Sequence, residues 1–170
     1  MKPKQDEVVR PLSREVAQRL VDEAQTRLDR IVFKIVLNSG IQMDELLGIR
    51  ISDIDFMLGE IRIAQPGKVP RKIKFSSSLM ADIKAYIGPD QPDGYLINIK
   101  RDALFKRLGN YKNITDFDWR VLRRTYGTLA LAAGGDPVMI ANNIGITLEE
   151  LQPAISIHGK HGLAPVEVVK

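Results

Sequence analysis

The chain has 170 residues, 44% hydrophobic and 27% charged, the balance of a globular domain long enough to bury a core of its own. Cysteine is absent and the only histidines are His158 and His161, which excludes a disulfide framework and a thiolate metal site and gives no reason to expect a metal or cofactor. The net charge of +4 and a pI near 9.4 permit nucleic-acid binding without requiring it. The polar start MKPKQDE and the short apolar runs show neither a leader core nor a membrane span, so a cytoplasmic protein is expected.

In chain order, residues 1–10 read as a polar lead-in, 11–158 as one domain and 159–170 as a tail. Ser13 is the expected cap of a first helix, with Val16, Leu20 and Ala24 on its buried stripe. Residues 29–38 (DRIVFKIVLN) are apolar nearly all round and read as a central core helix, stopped by Ser39 and Gly40. A short helical turn follows at 44–47. Residues 59–63 and 71–75 alternate apolar and polar, so each reads as a half-buried strand, and Lys68 sits at the tip of the turn between them. Lys68, Arg71, Lys72 and Lys74 then form either a solvated outer face or a set of DNA contacts. Ser78 is the expected cap of a helix over 79–87. Residues 95–97 read as a short buried segment, and 102–108 as a helix with Lys100, Arg101, Lys106 and Arg107 clustered on it.

The stretch 118–151 predicts three helices in tandem. Asp118 caps the first, whose stripe is Leu122, Tyr126, Leu129, Ala130 and Ala133, and Gly134 and Gly135 end it. Asp136 with Pro137 opens the second and Gly145 closes it. Thr147 and Glu150 form a capping box for the third, which Pro153 should shorten. Arg120 and Arg123 are three apart on one face, beside Arg124. Arg120 and Arg123 together suit a phosphate; alternatively Arg124 pairs with Asp116 or Asp118, and Arg123 with Glu45. The final 165–169 is apolar and strand-like, packing either on its own domain or on a neighbour. The expected fold class is mixed, mainly α with a small antiparallel β-sheet.

The runs LRRTYGT (122–128) and GGDPVMIANNIG (134–145), with SGIQMDEL (39–46) and SDID (52–55) upstream, resemble the conserved blocks of the tyrosine recombinases, or phage integrases. The resemblance extends from about Leu12 to His158 and implies the catalytic-domain fold of that family. In the family two Arg, a His or Lys, a hairpin Lys and a His or Trp hold the scissile phosphate while Tyr attacks. Phosphoryl transfer needs cations around the equatorial oxygens and an activated nucleophile. Carried over position by position, Arg123 matches and Lys68 is the hairpin lysine. The other positions hold Gln42, Arg120, Ile146 and, for the nucleophile, Ile155. Glu45 falls where the family places a supporting carboxylate. Tyr126 takes the place of a buried Phe, and Tyr111 remains as a displaced nucleophile candidate.

The resemblance therefore implies an integrase-like DNA-binding domain with its catalytic set dismantled. Its contacts to double-stranded DNA are expected from Lys68, Arg71, Lys72, Arg101, Arg120, Arg123 and Arg124, with nucleoid association if DNA is bound. A regulatory module docking on itself or on a full-length recombinase through the tail is the alternative. A third reading is a working recombinase with unusual residues. Family members normally carry a further N-terminal helical domain that closes on DNA, and this sequence begins at the catalytic-like part.

Overall fold

A computed structural model describes residues 9–90, 93–155 and 165–170, without the side chains of 152–155. Helix α2 (Arg27–Leu37) is its centre: Ile31, Val32, Phe33, Ile35, Val36 and Leu37 are all buried, as an all-round apolar helix requires. Helix α1 (Arg14–Asp22) packs against it, begun by Ser13 Oγ accepting from the Val16 amide at 3.2 Å. Thr26 caps α2 in the same way. α3 (Met43–Gly48) follows a tight turn at Gly40.

The sheet has three antiparallel strands in the order β1 (Ile54–Asp55), β2 (Glu60–Ile63) and β3 (Arg71–Lys74). β1 is an addition to the expected hairpin. Ile61 faces Ile73 and Ile63 faces Arg71, so these four share the inner side of the pleat, while Arg62 and Lys72 face each other on the outer side. Helix α4 (Ser77–Ile87) starts two residues earlier than expected. Ser76, not Ser78, is its cap, because the chain leaves β3 at Phe75 and Ser76 Oγ at once accepts from the Leu79 amide at 3.2 Å. α5 (Arg101–Leu108) begins at Arg101.

Helix α6 (Trp119–Ala132) is capped by Asp118 and buries Leu122, Thr125, Tyr126, Gly127, Ala130 and Leu131. The expected stripe was placed slightly off: Ala133 is exposed and Leu129 only half-buried, because α2 and α7 press on α6 from two sides and widen its inner face. α7 (Pro137–Ile144) ends at Gly145 in the left-handed conformation, and α8 (Leu148–Ile155) opens on the Thr147–Glu150 box. α8 runs through Pro153, contrary to expectation. The hydrogen bond lost there is the one to the Glu149 carbonyl, and Glu149 is exposed to water.

The end of the chain is not a strand and packs on its own domain. Val168 and Val169 are buried, and Asn38 stands in for a neighbouring strand. Its Oδ1 accepts from the Val168 and Val169 amides at 2.6 and 3.2 Å, and its Nδ2 donates to the Val169 carbonyl at 3.1 Å. Among the described residues no helix is long and apolar enough to cross a membrane.

Candidate nucleic-acid interface

Of the positions singled out in the sequence, Glu45, Lys68, Arg71, Arg123 and Ile146 lie around the C-terminal end of α7, and the others stand apart from it. Gly40 sets this up. Its φ is 66°, and a Cβ there would stand 2.7 Å from Ile144 Cγ1 and 2.9 Å from Tyr126 Cδ1. Only glycine lets the α2–α3 turn seat against α6 and α7. Its carbonyl then accepts from Arg123 Nε at 2.8 Å, while Arg123 Nη2 donates to the Ile144 carbonyl at 2.9 Å.

Arg71 holds the next two carbonyls of α7. Its Nε donates to Asn142 O at 2.8 Å and its Nη2 to Asn143 O at 3.2 Å. The same guanidinium forks onto Glu45, Nη1 to Oε1 at 2.6 Å and Nη2 to Oε2 at 2.9 Å. The last carbonyls of a helix lack intrahelical partners and carry partial negative charge, so two arginines here satisfy both needs. Glu45, with a side chain 2% exposed, is pushed up by burial. The Arg71 hydrogen bonds, the Gln42 amide and the Arg71 and Arg123 charges bring its pKa below the ordinary value. Burial lowers the Arg123 pKa, with Glu45 opposing that shift.

Two of the alternatives left open by the sequence fall here. Glu45 pairs with Arg71 rather than Arg123. Arg71 belongs to the inner face rather than the solvated outer one: it lies two residues from buried Ile73, and that parity was the signal in the sequence. Arg62, which the sequence reading passed over, is the outward residue, directly opposite outward Lys72.

The remaining positions divide. Lys68, exposed in its loop, and half-buried Ile146 line an open concavity of about 360 Å³ with Arg71, Glu45 and Thr147. Gln42 and Arg120 line a second one of about 300 Å³, with Trp119, Phe105 and Arg101. Gln42 is the cap of α3, and its amide donates to Glu45 Oε2 at 3.0 Å. Exposed Arg120 takes Asp118 Oδ2 at 2.9 Å, while exposed Arg124 forms no ion pair with Asp116 or Asp118 among the described residues. Arg101 pairs with Asp44, and exposed Lys72 approaches Glu60 at 3.8 Å.

No tyrosine hydroxyl bonds to Arg123 among the described residues. Tyr111, the displaced candidate, is buried under α2, donating to Asp29 Oδ2 at 2.5 Å and accepting from the Gln25 amide at 2.8 Å. Tyr126 is a core residue that accepts from Asn143 Nδ2 at 2.8 Å, and burial pushes its pKa up to about 12. Tyr95 lies under Arg50. The side chain of Ile155, and His158, lie outside the described residues. Among the described residues no group of His, Asp and Glu side chains is placed to hold a metal.

The profile of the phage integrase family matches residues 10–145. The tyrosine recombinase XerA of Saccharolobus solfataricus is 24% identical over 131 residues, which are 75% of this chain and 45% of that protein. The chain thus spans about half the length of the curated relatives it matches. Among solved structures, the XerA recombinase superposes with a TM-score of 0.73 at 19% identity, over 86% of this chain and 60% of that one. The catalytic domain of bacteriophage HP1 integrase gives 0.69 at 17% identity, over 88% and 89%. The XerH site-specific recombinase bound to its difH substrate gives 0.63 at 17% identity, over 86% and 48%. These likenesses establish the mainly helical fold with its small antiparallel sheet as that of the tyrosine recombinase catalytic domains.

Proposed function

The chain belongs to the phage integrase family, and from that premise we propose that it holds duplex DNA by the phosphate backbone without cleaving a strand. The observation that carries the binding half is the outer face of the hairpin. Arg62 and Lys72 are direct cross-strand partners, both exposed, with exposed Lys74 on the same strand and Lys68 in the loop beyond; Glu60, opposite Lys74 and 3.8 Å from Lys72, offsets part of this charge and leaves the cations in excess. Like charges opposite each other in a ladder repel, so such a face favours a polyanion laid across it. DNA is the polyanion that a structural neighbour carries, the Tn1549 transposon integrase in complex with transposon right end DNA.

The other half rests on residue chemistry. Gln42 brings no positive charge to a pentavalent phosphate, and Ile146 is a hydrocarbon where the family has a donor. Arg120 stays protonated near neutral pH and cannot accept a proton. With Ile155 at the nucleophile position there is no phenol to form a phosphotyrosine. Binding of this kind is backbone-directed and salt-dependent, with little reading of base edges.

Fluorescence anisotropy with a labelled duplex, titrated across salt, tests the first half. Affinity should fall by about one power of salt concentration for each phosphate held. Absence of binding at low salt removes the DNA reading. A nicked suicide duplex tests the second half by trapping any covalent protein–DNA adduct. None is expected, and an adduct would restore the active-recombinase reading.

A further inference from the structure

We propose that Arg71 is the positioning residue of the β2–β3 hairpin, fixing where the loop with Lys68 and the outward cations stand by fastening β3 to α3 and α7. Its effect on DNA rests on the reading above; its effect on the hairpin does not. Arg71 is the first residue of β3, paired with Ile63, and the loop 64–70 hangs immediately beyond that pair. The guanidinium donates to both oxygens of Glu45 and to the carbonyls of Asn142 and Asn143. A guanidinium has five N–H groups, so these four bonds leave little to offer a phosphate. Asn142 Nδ2 adds a second tie, donating to the Lys72 carbonyl at 2.9 Å. On the β2 side buried Ile61 and Ile63 anchor the hairpin as far as the loop; on the β3 side burial stops at Ile73, and the Arg71 fork and the Asn142 tie fasten the loop end.

Glu45 makes the idea separable from simple electrostatics. Its side chain is 2% exposed, so it has no surface to give to DNA. Replacing it with Gln removes a negative charge beneath a basic face, and charge alone then predicts tighter binding. Loss of the fork predicts the opposite, because Lys68 and its neighbours are no longer held in place. Arg71→Lys separates the remaining alternative. A direct phosphate contact survives as an ammonium, whereas one ammonium cannot span a carboxylate and two helix-end carbonyls.

The experiment compares wild type with Glu45→Gln, Arg71→Lys and the neutral double variant Glu45→Gln/Arg71→Met, by amide hydrogen exchange and by duplex anisotropy. Amides over 64–74 should exchange at least about tenfold faster in every variant while those of α2 keep their protection. The dissociation constant for the duplex should rise at least about fivefold in each, Glu45→Gln included. Unchanged exchange over 64–74 overturns the proposal. So does a Glu45→Gln variant that binds DNA as tightly as wild type or more so, or an Arg71→Lys variant with wild-type affinity. If Glu45→Gln fails to fold, Arg71→Lys, which keeps the net charge, still gives both the exchange and the affinity reading. If wild type itself binds no duplex, the DNA reading falls and the exchange result alone decides the role of Arg71.

Discussion

Tyr111→Phe removes one oxygen from the interior and leaves the ring packing intact, including the edge contact with Phe33 at 5.0 Å between ring centres. The hydroxyl donates to Asp29 Oδ2 and accepts from the Gln25 amide. Asp29 keeps Arg107 Nε at 2.9 Å, and Gln25 is exposed enough for its amide to turn to water. The cost is therefore one hydrogen bond to a buried carboxylate, about 2–3 kcal/mol. In a chain of this size that lowers the melting temperature by roughly 5–10 °C. The pH dependence adds a second check. Burial first, then the Asp29 hydrogen bond, raise the Tyr111 pKa from 10.0 to about 12. A group with a raised folded pKa contributes its stability in full below the unfolded value and loses it as pH climbs through the folded one. The gap between wild type and Tyr111→Phe should thus be constant up to pH 10 and narrow toward pH 12. Urea denaturation followed by circular dichroism at a series of pH values measures both. A difference below about 0.5 kcal/mol, the usual size for an inert surface change, would refute the reasoning. So would a gap that does not respond to alkali. Duplex affinity should be unaffected at neutral pH, since this tyrosine lies in the core.

Gly40→Ala combines a left-handed backbone with contacts of 2.7 and 2.9 Å to Ile144 and Tyr126. It should cost roughly 2–5 kcal/mol by urea denaturation, and a loss under 1 kcal/mol, by the same scale, would mean the turn is not seated as described. Asn38→Ala strips three bonds from the chain end and exposes Val168 and Val169, so it should cost about 3 kcal/mol. Amide exchange confined to 165–170 should then approach that of an unstructured peptide; retained protection there would refute the role of Asn38. On the acid side, Glu45 has a depressed folded pKa. Its contribution is whole above the ordinary value of 4.5 and lost as pH falls through the folded one. The acid limb of the stability curve should be shallower in Glu45→Gln, and an identical limb would show that Glu45 is not the group titrating.

Local chemistry decided much of what was legible beforehand. Ser13, Asp118, Pro137 and Gly145 act within a turn of their own helix, so the caps could be read from neighbours in sequence alone. The same holds for the central helix, whose all-round apolar surface means burial wherever it packs. The family blocks were legible because they combine such signals at fixed spacing. Three adjacent serines were not resolved in advance, because the end of β3 rather than the serines themselves selected Ser76.

Short-range pattern was enough for the caps at Ser13 and Asp118, the alternating strands and the residue types at the family's site positions. What those side chains do followed from packing. Arg71 meets Glu45 from 26 residues away and Arg123 meets Gly40 from 83, and no local pattern encodes such pairings. The physical reason is that a charged group entering a packed interior must find its counter-charge or carbonyls there, and which ones it finds depends on how the elements stack.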